Sequence, residues 1–309
     1  MKVLICDPVA PETIQALQEA GIEVDNRPDI TAEELVRDAA NYHGMVVRSR
    51  TKIRQDAIDA ATDLQIIVRG GVGLDNIDVA YAKSKGIVVR NTPKASSDSV
   101  AELTIGYMLA LARKIPQSSA SMAAGEWKKK ELKGTEIAGK TLGLIGFGNI
   151  GQAVGRRAAA LGMTVIFYRR SSIEVPYAKQ VSLEEVLTRS DYISLHVPKT
   201  PETENILNAE ALAKAKAGVY IVNCGRGGTL DEDALYDALI NGKVAGAALD
   251  VYVDEKVSPG NPRLFALKDG NGFSKVIGSP HIGASTSEGQ ARVGSEVAEI
   301  LIEFHREQL

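Results

Sequence analysis

Residues 139–170 read GKTLGLIGFGNIGQAVGRRAAALGMTVIFYRR. LGLIG, from Leu142 to Gly146, is an apolar run of strand length, and TVIFY, from Thr164 to Tyr168, is a second. The stretch between them, with Val154, Ala158 and Leu161, reads as a helix. Gly146-Phe147-Gly148-Asn149-Ile150-Gly151 therefore sits where a strand gives way to a helix. Gly146 permits the tight turn, Gly148 lets a pyrophosphate approach the backbone, and Gly151 lets the helix lie close to the strand. The N–H groups of Asn149 and Ile150 would meet that pyrophosphate at the positive end of the helix. Strand, glycine turn, helix and strand together predict a dinucleotide-binding unit.

The same alternation runs outward in both directions. Before it come VLIC (Val3 to Cys6), GMVV (Gly44 to Val47), QIIV (Gln65 to Val68) and IVV (Ile87 to Val89). After it come YISLH (Tyr192 to His196), VYIVN (Val219 to Asn223), GAALD (Gly246 to Asp250) and KVIG (Lys275 to Gly278). Short apolar strands separated by helices indicate α/β architecture with parallel sheets covered on both faces. Two series imply two doubly wound domains. Between them Val100, Leu103, Thr104, Tyr107, Met108 and Leu111 follow the rhythm of one buried helical face, with Ser96 to Ser99 as capping candidates. Residues 288–309 read as a further helix.

In dinucleotide folds the second strand usually ends in a carboxylate that accepts from the ribose hydroxyls. Here it ends Tyr168-Arg169-Arg170-Ser171-Ser172. Without a carboxylate there is no repulsion toward a 2′-phosphate, and a guanidinium can pair with one. NAD or NADP fits, with Arg169 tilting the balance toward NADP. The competing reading stacks Arg169 on adenine or leaves it in solvent.

Three later segments lie at or beyond strand ends: NCGRGG (Asn223 to Gly228), DVYVDE (Asp250 to Glu255) and SPHIGA (Ser279 to Ala284). Ligands of open parallel sheets gather there. Arg226 would hold a substrate carboxylate and polarise a carbonyl. His281 would exchange a proton with the substrate oxygen, and Glu255 would orient it through the other ring nitrogen. These three form the expected catalytic set.

Taken with VVRSRTKI (46–53), IVRGGVGLDNID (67–78), NTPKASSDSVAELT (91–104) and GAALDVY (246–252), these motifs make the chain resemble the D-isomer-specific 2-hydroxyacid dehydrogenases over nearly its whole length. Within that family the nearest likeness is to the phosphoglycerate-oxidising members. The resemblance implies a Rossmann cofactor domain, residues 94–285, inserted into a flavodoxin-like substrate domain, residues 1–93 and 286–309, with the active site in the cleft between them. It implies nicotinamide-site contacts from Cys224, Gly225, Asp250, Gly283 and Ala284, and cofactor contacts at Val197 and Val72. It implies a homodimer. It implies oxidation of 3-phospho-D-glycerate to 3-phosphooxypyruvate, the entry to serine synthesis. An NADPH-dependent glyoxylate or hydroxypyruvate reductase is the enzymatic alternative, and a dinucleotide-sensing, corepressor-like binding protein the non-enzymatic one.

For substrate contacts the resemblance points to Arg48 and Ser49. Arg48 could pair with a phosphate, and the turn through Gly71, Val72 and Gly73 could offer N–H groups to an anion. The alternative makes Arg48 a structural ion-pair partner. Lys128, Lys129 and Lys130 could lie near the same mouth or form a solvated face. The chain departs from the family pattern at Arg169, at Lys256 where Pro is usual, and in residues 268–274, which read as an added loop. Its end at Leu309 leads us to expect no regulatory domain.

Composition sets the remaining expectations. Thirty-six basic against 39 acidic residues give a net charge of −3, which argues against nucleic acid or an anionic membrane as partner. The expected partner is a small hydroxy acid or keto acid. Cys6 and Cys224 cannot build a disulfide framework or a four-cysteine zinc site, and no His, Cys and Asp spacing suggests a metal. The start MKVLICDP is not expected to act as a signal peptide, and a cytoplasmic location is the expectation. Cys224 lacks a paired base and reads as packing. His196, after a strand, reads as a packed histidine, and His305 as exposed.

Overall fold

The computed structural model describes residues 1–255 and 261–308. The chain divides into two compact units, Met1–Ser96 with Ala284–Leu309, and Ser97–Gly283. Ala284, placed with the cofactor residues by sequence, thus falls in the first unit.

The first unit is built on a parallel sheet of β1 (Lys2–Ile5), β2 (Glu23–Asn26), β3 (Gly44–Val47), β4 (Ile66–Arg69) and β5 (Val88–Asn91), in the order β2-β1-β3-β4-β5. That is the flavodoxin-like order, with its switch point between β1 and β3. All four residues of β3 are buried, because helices cover both faces of a central parallel strand. The helices are α1 (Pro11–Glu19), α2 (Ala32–Asp38), α3 (Gln55–Ala60) and α4 (Val79–Ser84). Pro11 starts α1, where its fixed φ suits the first turn. Thr31 and Glu34 close a reciprocal capping box on α2. At the end of the chain, α12 (Ser287–Glu307) returns to this unit. Its N-cap Thr286 accepts from the Gly289 N–H at 2.9 Å, and Val293, Val297 and Leu301 form its buried stripe. It packs on α1 so closely that a Cβ on Gly294 would collide with Thr13.

The second unit opens with α5 (Ser97–Arg113) and α6 (Ile115–Ala123). A parallel sheet follows, of β6 (Thr141–Ile145), β7 (Thr164–Tyr168), β8 (Lys179–Gln180), β9 (Tyr192–Leu195), β10 (Val219–Asn223), β11 (Val244–Leu249) and β12 (Val276–Gly278). Its order is β12-β11-β10-β9-β6-β7-β8, which reverses between β6 and β9 as in a dinucleotide-binding fold. The connecting helices are α7 (Asn149–Ala160), α8 (Leu183–Arg189), α9 (Ala209–Lys214), α10 (Glu232–Ile240) and α11 (Pro262–Ala266). On α5, Val100, Thr104, Tyr107, Met108 and Leu111 are buried as expected, whereas Leu103 is only partly so.

Most expected strands are found within one or two residues of their expected bounds. β2 and β8 went unread. EVDN and KQ carry no apolar run, and an edge strand has a hydrogen-bonded neighbour on one side only. Residues 268–274 form a small loop closed by an antiparallel bridge between Lys268 and Ser274. His305 is half-buried rather than exposed.

Candidate active site

Three neighbouring strands of the second unit deliver the expected catalytic residues. β10, β11 and β12 run parallel, with Asn223 opposite Leu249 and Leu249 opposite Gly278, so their carboxyl ends lie side by side. After β10, Asn223 folds the chain back on itself. Its Oδ1 accepts the Gly225 N–H at 3.0 Å and its Nδ2 donates to the Arg226 carbonyl at 3.2 Å. Thr229 donates to the same carbonyl at 2.7 Å, and Arg226 Nη1 donates to the Gly225 carbonyl at 2.8 Å. Gly225 lies on the end of β9, where a Cβ would stand 2.8 Å from the Leu195 carbonyl oxygen. A Cβ on Gly227 would overlap the Tyr252 carbonyl, so the turn beside Arg226 packs directly on the chain leaving β11.

After β11, Asp250 is buried and fully engaged. Its Oδ1 accepts the Ile282 N–H at 2.8 Å and the Ser279 hydroxyl, and its Oδ2 accepts the Gly283 N–H at 2.8 Å. Tyr107 Oη and Ser279 Oγ share a further short hydrogen bond. Tyr252 Oη donates to the Leu249 carbonyl at 2.8 Å and the Ser279 carbonyl at 3.1 Å. Burial pushes the Tyr107 hydroxyl up to about 12, so it stays a neutral donor.

This network holds the loop after β12, in which His281 takes the left-handed backbone φ of 53°. A non-glycine residue kept there stores strain, which persists only where neighbours over-determine it. His281 Nδ1 lies 3.0 Å from Glu255 Oε2. Both side chains are partly exposed, at 47% and 37%. Arg226, Glu255 and His281 are therefore all carried by loops at one end of one sheet. Lys256 lies outside the described residues.

At the sheet's switch point the glycine turn has the shape a dinucleotide requires. Gly146 adopts φ 98°, and a Cβ there would stand 2.5 Å from the His196 carbonyl oxygen and 2.9 Å from Val197 Cγ1. A Cβ on Gly151 would collide with the Gly146 carbonyl. A Cβ on Gly148 would meet nothing within 4 Å, so its absence serves no contact among the described residues. Gly148 is also the N-cap of α7 and brings no side chain to its first N–H groups, which include those of Ile150. An open approach above the N-terminus of a 12-residue helix fits a bound pyrophosphate.

At the end of β7, Arg169 Nη2 donates to Ser171 Oγ at 2.7 Å and Nη1 to the Phe147 carbonyl at 3.2 Å. Its guanidinium is folded over the glycine turn instead of extending into solvent. Cys224 is buried beside Thr104, and burial holds its thiol up near 12, which suits packing and not nucleophilic attack. His196 Nε2 lies 2.9 Å from Ser194 Oγ, its Nδ1 is shielded without a partner among the described residues, and burial lowers the ring to about 4.

In the first unit, the structural ion pair with Asp7 belongs to Arg50. Arg50 Nε pairs with buried Asp7 at 3.1 Å, and its Nη2 donates to the Cys6 and Pro28 carbonyls. Arg48 forms no ion pair among the described residues, and its Nη1 donates to the Pro8 carbonyl at 3.3 Å. Asn76 Nδ2 donates to the Arg48 and Thr51 carbonyls at 2.8 and 2.6 Å, tying the Arg48-Ser49 turn to the loop after β4. In that loop Gly71 has φ 141°, with its carbonyl accepting from Thr92 N–H and the Val72 carbonyl from Asn91 Nδ2; Gly73 follows. Arg69, which sequence reading passed over, lies against Gly71 and donates to Ser49 Oγ at 3.4 Å. Its only signal was its place at a strand end before a glycine pair. Lys128 instead pairs with Glu126 and lies over Phe273, lining a cavity of about 600 Å³ that includes none of Arg226, Glu255 and His281.

Among the described residues no group of three His, Cys, Asp or Glu side chains is arranged to hold a metal, and no helix is long and apolar enough to cross a membrane.

Comparison with known proteins yields a consistent set. Residues 105–283 match the family described as D-isomer specific 2-hydroxyacid dehydrogenase, NAD binding domain. A D-3-phosphoglycerate dehydrogenase of Methanocaldococcus jannaschii is 47% identical over all of this chain, which spans 58% of that protein's length. A hydroxypyruvate reductase of Thermotoga maritima is 48% identical over 96% of both chains. Among solved structures, a D-lactate dehydrogenase from Aquifex aeolicus complexed with NAD and lactic acid superposes with a TM-score of 0.84 at 29% identity, covering 99% of this chain and 96% of its own.

Proposed function

The chain belongs to the D-isomer-specific 2-hydroxyacid dehydrogenase family, and from that premise we propose that it is an oxidoreductase moving a hydride between a nicotinamide dinucleotide and C2 of a D-2-hydroxy acid. The observation that carries this reading is the His281–Glu255 pair at 3.0 Å, held at the same end of the sheet as Arg226.

The dinucleotide would be held by the Gly146–Gly151 turn, Arg169 and Val197, with Cys224, Gly225, Asp250, Gly283 and Ala284 on its nicotinamide side. It supplies a hydride acceptor or donor at C4. In the oxidative direction the C2 hydroxyl gives its proton to Nε2 of His281 as the C2 hydride departs, leaving a keto acid. Glu255 holds Nδ1 and stabilises the imidazolium that forms. Arg226 pairs with the substrate carboxylate and withdraws charge from the oxygen at C2. In reduction the same proton returns to the forming alkoxide.

The substrate we propose is 3-phospho-D-glycerate, giving 3-phosphooxypyruvate. Support comes from Arg48. Arg50 takes the structural ion pair with Asp7, which leaves the Arg48 guanidinium, with Ser49 and the N–H groups of Gly71, Val72 and Gly73, for an anion. A second reading is an NADPH-dependent reductase of hydroxypyruvate or glyoxylate, favoured by Arg169 and Ser171 in place of a ribose-binding carboxylate. Nicotinamide absorbance with 3-phosphoglycerate, glycerate, lactate, hydroxypyruvate and glyoxylate, each with NAD(H) and NADP(H), separates the two. Turnover of hydroxypyruvate with phosphoglycerate inert would reject the first.

A further inference from the structure

We propose that Glu232 is a positioning residue for this reaction, clamping the segment that carries Glu255 and so holding the carboxylate against His281. This rests on the assignment of the His281–Glu255 pair above.

Glu232 is the first residue of α10, yet it does no capping there. The N-cap Asp231 already accepts the Asp233 and Ala234 N–H groups, both at 3.0 Å. The Glu232 carboxylate turns instead to a remote segment. Its Oε1 accepts the Val253 N–H at 2.7 Å, and its Oε2 accepts Asn261 Nδ2 at 2.7 Å. Val253 precedes Glu255 by two residues and Asn261 follows it by six, so one carboxylate grips the chain on both sides of Glu255.

Asn261 makes the grip specific. It is the N-cap of α11, but its side chain gives that helix no capping hydrogen bond, and its backbone takes the left-handed φ of 40°. An asparagine at an N-cap ordinarily bonds to its own helix. Here the side chain is committed to Glu232. Asp233 and Arg263, 3.1 Å apart, add a second, exposed link between α10 and α11. The Val253 end of the clamp also meets the Arg226 loop, because a Cβ on Gly227 would stand 3.1 Å from Val253 N. Releasing Glu232 frees the approach of Glu255 to His281 while leaving Asp250 to hold the His281 loop from the other side.

The test is a double-mutant cycle on the purified enzyme with its preferred acid and dinucleotide. Glu232→Ala is expected to lower kcat about thirty-fold with KM and dinucleotide Kd within about two-fold, and Glu232→Gln, which keeps an acceptor for Val253 N–H, to restore most of the loss. In a Glu255→Gln background, Glu232→Ala is expected to slow the enzyme less than about two-fold further, because its effect passes through Glu255. Losses that multiply, or a Glu232→Ala enzyme at wild-type rate, overturn the proposal. If Glu232→Ala does not fold, Asn261→Gly releases one end of the clamp while suiting the left-handed backbone. Its loss of about three-fold must likewise vanish beside Glu255→Gln. A Glu255→Gln enzyme with unchanged kcat overturns the His281–Glu255 assignment itself and this inference with it, a result distinct from multiplying losses.

Discussion

His281 Nδ1 and Glu255 Oε2 are 3.0 Å apart, although 26 residues separate them in sequence, and His281 holds a left-handed backbone. A neutral amide at 255 preserves size and one acceptor but removes the charge that stabilises an imidazolium. Glu255→Gln is therefore expected to lower kcat about ten- to hundred-fold without changing dinucleotide affinity. Steady-state kinetics beside a calorimetric dinucleotide titration checks this.

The glycine turn makes a paired prediction. A Cβ at 148 touches no protein atom, whereas one at 151 collides with the Gly146 carbonyl. Gly148→Ala should keep the wild-type Tm and lose dinucleotide affinity about ten-fold or more. Gly151→Ala should lose both, with stability falling by about 2 kcal/mol. Thermal melts with and without dinucleotide distinguish them, and equal melting losses would remove the ligand as the reason for Gly148.

Arg48 and Arg50 should separate in the same manner. Arg50→Ala strips the ion pair from buried Asp7 and is expected to destabilise the protein by about 1–3 kcal/mol. Arg48→Ala should leave the melt unchanged and reduce kcat/KM for a phosphorylated acid about ten-fold or more relative to its unphosphorylated counterpart. An equal fall for both acids would take the phosphate away from Arg48.

Much of this was legible in sequence, for identifiable reasons. Continuous apolar strands such as GMVV and VYIVN announce themselves because both faces are covered. The Gly146–Gly151 turn is legible because its glycine spacing sits between a strand and a helix, and Gly146 and Gly151 each answer a steric demand of the fold. Arg226, Glu255 and His281 could be grouped because their loops follow consecutive strands of a parallel sheet. What escaped depends on three-dimensional choice among equivalent residues. Arg48 and Arg50 look alike until Asp7 is seen beside one of them. Tyr107 reads as one more apolar position of α5, and only the fold brings its hydroxyl to Ser279. Glu232 looks like an ordinary acidic residue in the first turn of a helix, and nothing local betrays that its partners lie 21 and 29 residues away.

His196 carries a pH prediction. Its ring titrates at about 4 in the fold against the ordinary 6.5, so as pH falls the unfolded chain takes up the proton first. Stability is unaffected by this group above the unfolded value and is lost progressively as pH drops from 6.5 toward 4. Between about pH 7 and about pH 5 the loss from this residue is about 2 kcal/mol. His196→Gln should flatten that part of the profile, measured by urea unfolding. An unchanged slope would assign the acid sensitivity elsewhere.

The most direct measurement is nicotinamide absorbance during single-turnover mixing of the dinucleotide-loaded protein with D-2-hydroxy acids or their keto acids, wild type beside His281→Ala. The account predicts conversion by the wild type and a loss of about a hundred-fold or more in the variant, with dinucleotide still bound. A wild-type protein that binds dinucleotide and converts none of the acids, or a variant that turns over at the wild-type rate, would contradict it.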